Sequence, residues 1–187
     1  MEEELDLIYE TTREHMDKAI EHLEKALVKI RAGRANPSML EGVHVEYYGS
    51  MSPLSQVSNI STPDARTLTI QPWEKSLLQE IEKAITLANL GLNPGNNGEM
   101  VILNIPPLTE ERRRDLVKRA KAEAEDARVG VRNARKEAME EVRKLGKNGL
   151  SEDLEKDAET EVQQITDRYI KKVEATLEKK EAEIMEI

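Results

Sequence analysis

The sequence predicts an α+β protein: an elongated antiparallel three-helix bundle with a small α/β domain, a β-sheet plus a helix, inserted into it. Three observations carry this. Apolar residues recur every three or four positions through three long stretches, the rhythm of helices that each bury one stripe. Between Gly33 and Pro107 the texture shifts to short β-rich runs broken by Gly, Pro, Asn and Asp. Charged residues make up 35% of the 187 and aromatics 3%, with no Phe, which suits narrow aliphatic stripes and not a wide aromatic core.

From Glu2 to Ile30, Leu5, Ile8, Met16, Ala19, Leu23, Ala26 and Ile30 fall at helical spacing, and Gly33 and Pro37 in "RAGRANP" stop the helix. "VHVEYY" (Val43 to Tyr48), "RTLTIQ" (Arg66 to Gln71) and "MVILNI" (Met100 to Ile105) read as strands, with "STPDA" and "NPGNNG" as turns between elements. Lys75 to Leu90 carries Leu77, Leu78, Ile81, Ile85 and Leu87 at helical spacing, with Gly91 as its C-cap. Thr109 caps a second long helix, and Glu110 and Glu111 suit its positive N-terminal end. That helix runs to Leu145 before "GKNG", about 55 Å at 1.5 Å per residue. Ser151 caps a third helix, with Leu154, Ala158, Val162, Ile165, Tyr169, Val173 and Leu177 along one side.

The bundle is therefore discontinuous, residues 1–31 with 107–187, and the small domain spans residues 32–106. Two strands of chain join them, one through Arg31, Ala32, Gly33 and Arg34, the other through Pro106 and Pro107.

With no cysteine, disulfides, thiolate metal sites and cysteine nucleophiles are excluded, and the composition fits a reducing, cytoplasmic setting. No targeting leader is expected in "MEEELDL", and no apolar run approaches the roughly 20 residues that cross a bilayer. His15 and His22 lie seven residues apart, roughly 10 Å along a helix and too far to share one metal. "GLNPGNNGE" lacks the Lys-Ser/Thr of a phosphate-gripping loop. No nucleophile–base set, cofactor motif or metal constellation argues for an enzyme.

One feature stands out against this acidic background. In "ARVGVRNARKEA", Arg128, Arg132 and Arg135 are spaced by four and three, so a helix stacks them into one stripe beside Arg114 and Lys121. Ala120, Ala124, Ala127, Val131, Ala134 and Ala138 form the adjacent core face. Residues 109–145 hold 12 basic and 9 acidic residues, whereas the rest of the chain holds 16 and 28. Two readings are open on spacing alone. The arginines pair with carboxylates of neighbouring helices, or they meet RNA or another polyanion, for which bidentate guanidinium groups are suited. A helical scaffold or chaperone-like interaction protein with no RNA target is the alternative function.

The segments "KIRAGRANPSML", "VEYYG", "ARTLTI", "EKAI", "LGLNPGNNG", "PPLTEERRRDLVK", "ARVGVRNARKEA" and "ITDRYIKKVEATLEKKEAEIM" together resemble the ribosome recycling factor family, in order and from end to end. The resemblance implies a factor that acts after translation termination. With elongation factor G and GTP, it would split the ribosome into subunits and free the mRNA. It implies that the bundle contacts large-subunit ribosomal RNA through Arg31, Arg113, Arg132 and Arg135, and the stripe adds Arg128 as a further rRNA-binding residue. It further implies that the small domain swings on the hinge formed by residues 31–34 and 106–107 to meet the GTPase. The expected molecule is a monomer without cofactor, metal or membrane. Gly130, mid-helix, and Asp157, where the family tends to carry a second basic residue, depart from the simplest pattern.

Overall fold

The computed structural model describes residues 1–30 and 33–186. The chain divides into two compact units, Met1–Ala32 with Glu110–Ile187, and Gly33–Thr109. Arg31 and Ala32 of the first connection lie outside the described residues.

The first unit holds three helices, α1 (Glu2–Val28), α4 (Glu110–Lys147) and α5 (Glu152–Met185), packed pairwise. Their buried faces follow the stripes the spacing predicts, with Thr12 and Leu27 added on α1, Thr166 added on α5, and Ile8, Ala19 and Ala26 only partly buried. On α4 these are Leu116, Ala120, Ala124, Ala127, Val131, Ala134, Ala138 and Val142. Five alanines along that face bring the neighbouring helices close. Gly130 continues this logic: a Cβ there would stand 3.3 Å from Ala19 Cβ, so the missing side chain admits α1. Its helix-propensity cost, about 1 kcal/mol against Ala, is set against that approach.

The α4–α5 turn ends in a left-handed cap. Gly149 has φ +109° and the Leu150 amide donates to Leu145 O at 3.0 Å, the long closing bond of a Schellman motif, with buried Leu150 beneath it. The helix thus runs two residues past Leu145, through Gly146. Ser151 Oγ then accepts from the Leu154 amide at 3.3 Å and starts α5. Leu154 itself is exposed and does not share the core side with Ala158 and Val162; in the first turn it lies beyond the reach of the stripe.

The second unit is β1 (His44–Tyr47), β2 (Ser50–Pro53), α2 (Leu54–Val57), β3 (Ser58–Asp64), β4 (Thr67–Pro72), α3 (Leu78–Leu87), β5 (Pro94–Asn96) and β6 (Val101–Asn104). β1 and β2 form a hairpin, and β3-β4-β6-β5 an antiparallel sheet. Leu68 pairs with Leu103 and Ile70 with Val101, and all four are buried in a core shared with Ile81 and Ile85 of α3. The core of this unit contains no aromatic side chain among its buried members.

Two segments differ from the sequence reading. "STPDA" is mostly strand, the outer half of β3, and part of "NPGNNG" is β5. Both strands lie at sheet edges, where Pro63 and Pro94 need no second partner for their missing N–H groups. The turns follow one step later. Asp64 Oδ1 accepts from the Arg66 amide at 2.8 Å, and Asn96 Oδ1 accepts from the Gly98 amide at 2.6 Å. Among the described residues no helix is long and apolar enough to cross a membrane, and no His, Cys, Asp and Glu cluster could hold a metal.

Candidate nucleic-acid interface

α4 positions the arginine stripe. Its backbone is fixed on one side by the alanine face, so side chains 80–140° around the helix emerge together along the seam with α5. The structure places the predicted residues in distinct environments.

Arg128 is largely enclosed, with its side chain 19% exposed. Its Nε and Nη2 donate to Glu174 Oε1 of α5 at 2.8 and 2.7 Å, and its Nη1 to Glu125 Oε2 at 3.0 Å. All three nitrogens are therefore occupied by carboxylates. Burial acts to lower its pKa, but the bonds to Glu174 and Glu125 outweigh it, and the value rises above that of an ordinary guanidinium.

Arg132 is open, 57% exposed, and gives only Nη1 to Glu125 Oε1, at 3.1 Å. Arg135 is partly buried and donates through Nε to Gln163 Oε1 at 2.7 Å; Gln163 in turn donates to Asp167 Oδ1 at 2.8 Å. Arg113 lies half-buried near the start of α4, and its Nε has no hydrogen-bond partner among the described residues. Arg114 pairs with Glu110 one turn back, at 3.6 Å. Arg31 lies outside the described residues.

Pairing with neighbouring carboxylates, one of the two readings of the stripe, thus accounts fully for Arg128 and in part for Arg132. It leaves Arg132 with donors that have no partner among the described residues, on a side chain that is 57% exposed. Beyond Arg135 the stripe opens into a cleft of about 250 Å³ lined by Arg135, Lys136, Met139, Glu140, Arg143 and Glu159, three cations against two carboxylates. A larger groove of about 410 Å³ between α1 and α4 is lined by Leu7, Thr12, His15 and Glu137 among others. Its His15 and Glu137 approach at 3.6 Å, and it holds none of the stripe cations; size alone does not mark the basic surface.

Sequence reasoning did not single out Glu125, Gln163 or Glu174. Glu125 was readable, three residues before Arg128 and seven before Arg132. Gln163 and Glu174 were not, because their roles depend on the register between α4 and α5.

Of the second connection, Pro106 and Pro107 are exposed and outside any regular element. Gly33 has φ +70°, and a Cβ there would stand 2.6 Å from Leu108 Cγ. The two connecting segments therefore meet within the small unit, at a place where only glycine fits.

The ribosome recycling factor family model matches residues 23–185. The chain belongs to the ribosome recycling factor family. The ribosome-recycling factor of Flavobacterium johnsoniae is 60% identical over 187 residues, covering 100% of both chains. That of Deinococcus radiodurans is 54% identical over 174 residues, covering 93% and 94%. A solution structure of the ribosome recycling factor superposes with TM-score 0.70 at 41% identity, covering 98% of each chain. A second structural relative, 50% identical with TM-score 0.60, covers 96% of this chain and 98% of its own. It comes from models of the T. thermophilus ribosome recycling factor and the E. coli elongation factor G bound to the E. coli post-termination complex. The family membership thus rests on the whole chain and both units.

Proposed function

We propose that this protein recycles ribosomes after termination in the cytoplasm. Together with elongation factor G and GTP it splits the post-termination complex into subunits and frees the mRNA. The observation that carries the reading is the Arg132 side of the α4 stripe: an exposed guanidinium with open donors, next to a cation-lined cleft, on a chain with net charge −9. Such a surface suits a local, shape-selective contact with large-subunit ribosomal RNA, made by Arg31, Arg113, Arg132 and Arg135 with Arg128 behind them. The acidic remainder discourages unspecific polyanion binding. The relative seen with elongation factor G on a post-termination complex supports the same partners here.

The protein's role is binding and leverage, with hydrolysis left to the GTPase. The bundle unit and the small unit act as a monomeric lever joined at residues 31–34 and 106–107. Gly33 supplies backbone freedom in one connection, while Pro106 and Pro107 fix φ in the other and direct the swing.

A splitting assay tests the whole reading. With purified post-termination ribosomes, subunit dissociation should require this protein, elongation factor G and GTP together, and the protein should co-sediment with 70S particles. Dissociation that proceeds equally without the protein would refute it.

A further inference from the structure

Arg132 is held by a chain of contacts that begins on another helix. Glu174 of α5 takes two nitrogens of Arg128 at 2.7 and 2.8 Å. Arg128 passes its third nitrogen to Glu125 Oε2 at 3.0 Å, and Glu125 Oε1 takes Nη1 of Arg132 at 3.1 Å. Each carboxylate oxygen of Glu125 is thus committed to a different arginine.

The geometry of the last contact matters. A guanidinium presents two edges able to grip a phosphate with paired donors, Nη1–Nη2 and Nε–Nη2. The bond to Glu125 uses Nη1 alone, and Nε and Nη2 of Arg132 have no partner among the described residues. One edge is anchored; the other is uncommitted, on a side chain that is 57% exposed. A long side chain free to sample its rotamers would lose that freedom on binding an anion, so anchoring it beforehand lowers the cost of the contact.

We propose that Glu125 is a positioning residue for Arg132. It holds the guanidinium so that its Nε–Nη2 edge is presented to a phosphate of the ribosomal RNA, and it is itself held in place by Arg128 and Glu174. Arg128 acts here as the strut of this relay and not as a phosphate contact. The inference rests on the stripe meeting RNA. The pull of both arginines keeps Glu125 ionised, with Arg128 the stronger and Arg132 next, so its pKa lies below the ordinary 4.5. A direct alternative is that Glu125 competes with phosphate for Arg132, in which case removing Glu125 tightens binding.

The test measures 70S ribosome binding by equilibrium sedimentation for Glu125→Ala, Glu125→Gln, Arg132→Ala and the Glu125→Ala/Arg132→Ala double variant, with thermal melts as a check on folding. Positioning predicts that E125A weakens binding about three- to fivefold, the scale of an exposed ion pair. Glutamine keeps an accepting oxygen and should recover most of that loss. In the R132A background, E125A should change binding no further. Side-chain ¹⁵N relaxation of Arg132 in the free protein should show greater mobility in E125A, a readout that general structural damage with unchanged Arg132 order would not produce. If R132A weakens binding but E125A leaves it unchanged or tightens it, positioning is overturned and the RNA reading survives. If R132A leaves binding unchanged, Arg132 meets no phosphate and this inference fails; if Arg135→Ala, measured alongside, also leaves it unchanged, the RNA reading itself fails.

Discussion

Arg128 and Arg132 lie four residues apart on one face of one helix, yet their side chains are 19% and 57% exposed. The difference comes from what α5 places opposite each of them, with Glu174 facing Arg128. Truncating them should therefore separate stability from binding. Arg128→Ala leaves Glu174 and Glu125 without their shared cation and removes partly buried charged hydrogen bonds, a loss of about 1–2 kcal/mol in denaturant unfolding. Arg132→Ala removes only an exposed pair and should cost less than about 1 kcal/mol. Its ribosome affinity should nonetheless fall, and the salt dependence of binding should lose about one unit of slope. An R132A protein that is clearly destabilised but binds with unchanged salt dependence would assign this arginine to the scaffold. The stripe itself was legible because helical periodicity fixes angles around one axis. The split between its members was not, because it depends on a neighbouring helix 46 positions away in the chain.

At the scale of the element, long helices were legible wherever a single buried stripe persisted, and their ends followed from Ser151 and Gly149. The edge strands β3 and β5 were harder to see. They alternate weakly, carry Pro, and owe their extended form to one paired neighbour. Gly130 gives a quantitative check on helix packing. Gly130→Ala sets a gain of about 1 kcal/mol in propensity against a 3.3 Å contact with Ala19, so it should stay near wild-type stability. Gly130→Val adds branching at the same spot and should destabilise by about 2 kcal/mol. Equal stability of the valine variant would mean that α1 does not need this gap.

A second element-scale test lies between α1 and α5, where the Tyr169 hydroxyl donates to Asp17 Oδ1 at 2.5 Å. Burial first, and then this bond, push the phenol pKa up to about 12 from 10. Below pH 10 the phenol is neutral in both folded and unfolded chains, so its contribution is fully present. As pH rises from 10 towards 12 the unfolded chain ionises first, and the contribution is lost. The urea midpoint should fall between pH 9.5 and 11.5 more steeply for the wild type than for Tyr169→Phe. The phenylalanine variant should also be less stable at neutral pH by about 1 kcal/mol. Parallel pH profiles for the two proteins would show that this tyrosine does not titrate with unfolding.

At the scale of the molecule, the sequence places two bodies on two connections, and the second body's core is built entirely from residues between Leu40 and Ile105. Such a core needs nothing from the bundle, so the small unit can move as one piece if its connections bend. Gly33, at φ +70° against Leu108, and the exposed Pro106-Pro107 pair are suited to confine that bending to a short segment. Two connections also resist twisting more than one tether would, which favours the swing proposed above. On the proposed reading, binding needs only the arginine surface of the bundle, whereas splitting needs the GTPase's motion to be passed through the small unit. Those two demands can be uncoupled in one experiment. The chain has no cysteine, so a single pair can be introduced, one in each unit, and joined by a short bismaleimide. The cross-linked protein should bind 70S ribosomes within about twofold of the uncross-linked pair, a change of roughly 0.4 kcal/mol, and should fail to split them with elongation factor G and GTP. A linker long enough to permit the swing should restore splitting. Full-rate splitting by a verified short-linker protein would place the working motion somewhere other than between the two units.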